Sequence, residues 1–122
     1  MSTLRLTTIS NQTGSASVPS DTVINGSAKA WVNFNGTGTV AIRAAFNVSS
    51  ITDNGVGRYT ANFTSPMIDA NYSVVCSGKG SDDNRYTGLF NDPTTSSCSV
   101  YGHYHADSSF QDMSVMCISV FR

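Results

Sequence analysis

A period of two runs through residues 26–64, GSAKAWVNFNGTGTVAIRAAFNVSSITDNGVGRYTANFT, in three stretches joined by glycine-bearing turns. Alternation of this kind fits extended chain with one face buried and one wet, because successive side chains of a strand leave on opposite sides. Ala28, Ala30, Val32 and Phe34 share a face in the first stretch, Val40, Ile42, Ala44, Phe46 and Val48 in the second, and Tyr59, Ala61 and Phe63 in the third. Asn35-Gly36-Thr37-Gly38 and Asp53-Asn54-Gly55-Val56-Gly57 supply residues that tolerate positive φ where tight hairpins need it. The pattern predicts an antiparallel meander in which Phe34, Phe46 and Phe63 meet in the core, with Trp31 on the opposite face.

Beyond residue 64 the alternation continues in shorter pieces. A polar corner leads to a strand from Tyr72 to Cys76, a Gly/Ser/Asp loop from Gly78 to Asn84, a short strand from Arg85 to Phe90 and a loop with Pro93. Two further strands follow, over 98 to 106 and 112 to 121, and no helix of useful length is signalled. Many short strands with frequent turns predict an all-β chain, an antiparallel β-sandwich or jelly-roll-like domain. Residues 1–25 read differently. Leu4, Leu6 and Ile9 form a brief alternating piece, Ser10 to Ser20 is polar, and Thr22-Val23-Ile24 leads into Asn25-Gly26. The expected division is therefore an N-terminal arm or attachment segment over 1–25 and a sandwich domain over 26–122. The alternative is an ordinary first strand and loop of the same domain.

Composition narrows the function classes. Charged residues are 12% and the formal net charge is −1, so the basic footprint of a nucleic-acid or anionic-membrane binder is missing. Ser, Thr, Asn and Gly dominate, yet sustained apolar alternation with Trp31, Phe34, Phe46, Tyr59, Phe63 and Tyr72 supplies area that a disordered chain lacks. The opening residues Met1 to Leu6 lack the apolar core of a signal peptide, and no run approaches membrane-spanning length, so synthesis in a cytoplasm is expected. Asn-x-Ser/Thr triplets begin at Asn11, Asn25, Asn35, Asn47, Asn62 and Asn71, which the Asn- and Thr-rich composition accounts for. Cys76, Cys98 and Cys117 each sit in an alternating segment and read as buried thiols, with one disulfide as the alternative. Their spacing lacks the Cys-x-x-Cys of a zinc site.

AWVNFNGTGTVAIRAAFNVSSITDNGVGRYTANF resembles the repeated core of small tail-fibre proteins and fibre-tip domains of tailed bacteriophages, notably marine and cyanobacterial ones. SVPSDTVINGSAK at 17 to 29, before it, and the Met-x-Asp-x-x-Tyr segment Met67 to Tyr72, after it, extend the likeness. It covers residues 17 to 76 well, including Trp31 and Arg43; residues 77 to 122 match in style alone. The resemblance implies a non-enzymatic virion protein assembled as a homotrimer in the host cytoplasm. It implies attachment to other virion proteins through the arm, and host-surface polysaccharide or protein as the distal partner. It carries no catalytic or binding set. The alternative role is a capsid decoration, head-fibre or baseplate-attached protein with no receptor contact.

The candidate residues lie in the distal part. In Tyr101-Gly102-His103-Tyr104-His105 the two histidines are expected on one side of a strand. With the loops 77 to 85 and 91 to 97, Tyr101, His103, Tyr104, His105, Asp82 and Asp83 form the expected receptor contact, since aromatic faces beside Asn, Asp and hydroxyls suit sugars. In trimeric phage fibres a His-x-His pair from each chain can bind one iron on the three-fold axis, and His103 and His105 are similar to that pair; otherwise no cofactor is expected. Met113, Val115 and Cys117 alternate with Met116, Ile118 and Val120, so the last strand is apolar on both faces. Met116, Ile118 and Val120 are therefore expected at subunit contacts, the alternative being a central strand between two layers of one monomer. Glutamate is absent, the aspartates are dispersed apart from Asp82-Asp83, and no Gly-x-Ser-x-Gly occurs, so neither a glycosidase pair nor a nucleophile elbow is signalled.

Overall fold

The computed structural model describes residues 1–81 and 84–122; Asp82 and Asp83, two of the expected contact residues, lie outside the described residues. Its elements in chain order are β1 (Thr8–Ser10), β2 (Ser17–Pro19), α1 (Ser20–Gly26), β3 (Ala28–Asn35), β4 (Ala41–Phe46), β5 (Val48–Asp53), β6 (Arg58–Phe63), β7 (Ser73–Lys79), β8 (Arg85–Leu89), β9 (Ser97–Tyr104) and β10 (Val115–Phe121). Two four-stranded antiparallel sheets, ordered β4-β3-β10-β7 and β5-β6-β9-β8, pack face to face as a sandwich. The predicted all-β sandwich is what the chain forms.

The core lies between the sheets. Ala30, Val32 and Phe34 of β3 and Met116, Ile118 and Val120 of β10 meet Tyr59, Ala61 and Phe63 of β6 and Cys98 and Val100 of β9, with Met67, Tyr72 and Met113 closing the ends. Phe34 meets Tyr59 edge to face at 5.2 Å, and Phe63 meets Tyr72 at 5.9 Å. Met116, Ile118 and Val120 are thus buried inside one chain and cannot line its surface, which corrects their expected place at a subunit contact. The reason is that β10 lies centrally between β3 and β7 and turns its even-numbered side chains inward. Val115, Cys117 and Phe121 are its outward apolar residues.

The meander is divided. Phe46, expected in the core, is 55% exposed. Pairing runs Asn33↔Ala44 and then Phe34↔Ile42, skipping Arg43, and this bulge reverses the alternation of β4. Ala44 and Phe46 consequently face outward with Trp31. At Asn47 the chain takes φ 55° and crosses to the second sheet, so Val48 opposes Phe63 there. The Asn47 side chain holds this crossing by donating to Lys29 O (3.0 Å) and Ser65 O (3.1 Å) and accepting Ser65 N–H (2.7 Å).

The first 27 residues bury no side chain. β1 and β2 pair only with each other around a turn in which Asn11 O accepts Gly14 N–H, Gly14 standing at φ 70°. The seven-residue α1 was not foreseen. Pro19 fixes φ at −56° before it, Asp21 lies in its first turn, and Ser27 N–H closes on Val23 O.

Candidate functional site

The register of the second sheet orders its outward face into rows. Ser50, Asn62 and Ser97 form the first, Thr52, Thr60 and Ser99 the second, Arg58, Tyr101 and Gly88 the third, and Tyr86 and His103 the fourth, with Phe110 bridged to His103. Hydroxyls and amides therefore fill one half and aromatic rings the other. In the polar half Asn62 Nδ2 donates to Ser50 Oγ (3.1 Å) and Thr52 Oγ1 (2.9 Å), Thr60 Oγ1 bonds Ser99 Oγ (2.8 Å), and Asn54 Nδ2 donates to Thr60 Oγ1 (2.8 Å).

In the other half, the His103 ring stands 4.5 Å from Tyr101, 4.3 Å from Phe110 and 5.1 Å from Tyr86. Its Nδ1 bonds the Tyr86 hydroxyl at 2.9 Å, while buried Nε2 has no partner among the described residues. The Arg58 guanidinium lies over Phe110 (5.1 Å) and Phe90 (5.5 Å), a cation–π arrangement. Gly88 makes room for Tyr101: a Cβ there would meet the Tyr101 hydroxyl oxygen at 2.7 Å.

The loop presenting Phe110 is tied to the core. Asp112 Oδ1 accepts Gly57 N–H at 2.8 Å and lies 3.1 Å from the Tyr59 hydroxyl. That hydroxyl also accepts Met113 N–H (3.2 Å) and reaches Gly36 O (3.0 Å). Burial chiefly, with the Asp112 charge added, pushes the Tyr59 phenol well above its ordinary pKa, so it stays a neutral hydrogen-bonding post. Gly102 N–H to Gly57 O (2.8 Å) and Gln111 N–H to Gly102 O (2.9 Å) complete the seam.

The structure divides the expected contact set. Tyr101 and His103 lie together on the outward face. Tyr104, one position on, leaves on the other side and stacks under Arg85 at 4.8 Å, with Arg85 opposite it in the register. His105 is past the end of β9, exposed, with its ring 6.3 Å from Tyr86. The loop over 91–97 is at the other end of β9, where Thr95 O and Ser96 O accept from Met67 N–H and Phe63 N–H. Tyr86, Phe90, Phe110 and Arg58 were missed. The parity of a strand starting at Arg85 and a lone Phe in the polar stretch 105–112 were the available signals.

Four aspartates hold backbone: Asp53 accepts Gly55 N–H (2.9 Å), Asp69 Asn71 N–H (2.8 Å), Asp107 Ser109 N–H (2.9 Å) and Asp112 Gly57 N–H. Burial pushes the Cys98 thiol up to about 12, far from a thiolate. Among the described residues no group of three or more His, Cys, Asp or Glu is placed to hold a metal, and no helix is long and apolar enough to cross a membrane. In comparisons with known proteins, no family model, curated protein or solved structure matches this chain.

Proposed function

We propose that this chain is a non-enzymatic protein of a tailed-phage virion, a tail-fibre component or fibre tip that contacts the host surface through the outward face of its second sheet. The observation carrying the contact is the row order on that face. Pyranose rings offer apolar C–H faces ringed by hydroxyls, and here the aromatic patch of Tyr86, Tyr101, His103 and Phe110 borders a ladder of Ser, Thr and Asn within the same sheet. Sequence resemblance over residues 17 to 76 supplies the virion setting and the expectation of a homotrimer. Adsorption competition tests the reading: excess purified protein is expected to slow attachment of particles to host cells, and the Tyr101→Ala protein to compete poorly. Equal adsorption with and without the protein would leave the decoration or connector role, which exposed apolar Trp31 and Phe46 on the other sheet favour as protein-contact residues.

A further inference from the structure

The outward face of the first sheet carries an apolar strip among polar residues, and nothing among the described residues covers it. Phe46, Trp31, Ser119 and Val75 pair in one row across β4, β3, β10 and β7. Of these, Phe46 is 55% exposed, Trp31 39% and Val75 57%. Beside them stand Ala44, Asn33, Cys117 and Ser77. The strand β4 is exposed along its whole length, and among the described residues its outer edge has no partner strand. Its one charge, Arg43, turns to Asn33 Oδ1 (3.3 Å) and Ser114 O (2.7 Å), so the edge lacks the charged guard that usually prevents strand addition.

A second apolar surface is equally exposed. In the arm Leu4, Leu6, Ile9, Val23 and Ile24 are exposed, and the β1-β2 hairpin joins neither four-stranded sheet.

Area and charge select the partner. Four strands about 4.8 Å apart and six residues about 3.3 Å apart project roughly 400 Å². That is about half of the about 800 Å² per partner of a standard contact, and strand addition at the open edge of β4 would add main-chain hydrogen bonds to it. The outward strand positions carry no carboxylate, and the charges on this side are Lys29, Arg43 and Lys79, so two such faces meeting symmetrically would set like charges together. The two charged side chains of the arm, Arg5 and Asp21, cancel.

We propose that the N-terminal arm of a second copy of this chain docks on the outward face of the first sheet, its hairpin extending the sheet at the free edge of β4 and its apolar side chains covering Trp31 and Phe46. Such a contact joins unlike surfaces, so it closes into a ring or propagates. It is independent of what the second sheet binds.

Sedimentation of the full chain over a concentration series, with emission of the sole tryptophan followed in parallel, tests this. Association with a blue shift of Trp31 emission is expected. A face variant, Phe46→Glu, and an arm variant, Leu6→Glu with Ile9→Glu, are each expected to be monomeric with red-shifted emission. Mixed, they are expected to form a one-to-one complex, because each keeps the surface the other has lost. Ala44→Glu, a second face variant, carries the same expectation, and circular dichroism checks the fold of each. A full chain that stays monomeric across the micromolar range would overturn the proposal. So would an arm variant that assembles like the unaltered chain, or folded variants that ignore one another when mixed.

Discussion

Gly57 stands at φ +64°, and a Cβ there would lie 2.6 Å from Gln111 N, Gln111 O and Gly102 O, all backbone atoms. Gly57→Ala is therefore expected to cost more than the about 1–2 kcal/mol of a left-handed conformation alone, as read by urea unfolding. Asp69 gives a pH test. The Arg122 guanidinium (2.6 Å) and Asn71 N–H hold its carboxyl down to about 2. A depressed carboxylate stabilises the fold above its unfolded pKa, near 4, and the contribution is lost as pH falls from there through about 2. Titration followed by NMR is expected to place Asp69 near that low value, and Arg122→Ala to return it toward the ordinary carboxylate range.

The strand β4 marks where reading by period breaks down. Phe34 and Phe46 look alike in the sequence, twelve residues apart in alternating runs, yet the first is fully buried and the second mostly exposed. One skipped residue, Arg43, separates the two outcomes, and no local sequence signal marks a bulge there because its cause is pairing with β3. The alternations of β3 and β6 were legible because those strands have a neighbour on each side and a core beneath, whereas β10, equally central, is apolar on both faces, so its period could not say which face turns inward. The edge strand β4 lacks that full support. Phe34→Ala is expected to cost about 3–5 kcal/mol, whereas Phe46→Ala in the dilute monomer should stay within about 0.5 kcal/mol. Paired denaturation curves check both, and a large loss at Phe46 would mean that the face of β4 is assigned wrongly.

At the scale of the molecule, half of the candidate surface was legible. Tyr101 and His103 stood out as an aromatic cluster in a strand, but Tyr86, Phe110 and the hydroxyl ladder come from other strands and a loop, and only the β6-β9-β8 register assembles them. Tyr104 was grouped with Tyr101 by proximity in sequence, although they leave the strand on opposite sides. Tyr101→Ala is expected to weaken host attachment severalfold and Tyr104→Ala to leave it near normal, as measured by adsorption rate with melting temperature as control. Equal losses in both would argue against this face. The placement of the two exposed surfaces has an evolutionary consequence. One faces out from β4-β3-β10-β7 and the other from β5-β6-β9-β8, with the whole core between them and sheets about 10 Å apart. Substitutions so separated combine additively, so if both proposed contacts hold, a lineage of this fold is free to change its ligand row by row while inheriting its assembly unaltered.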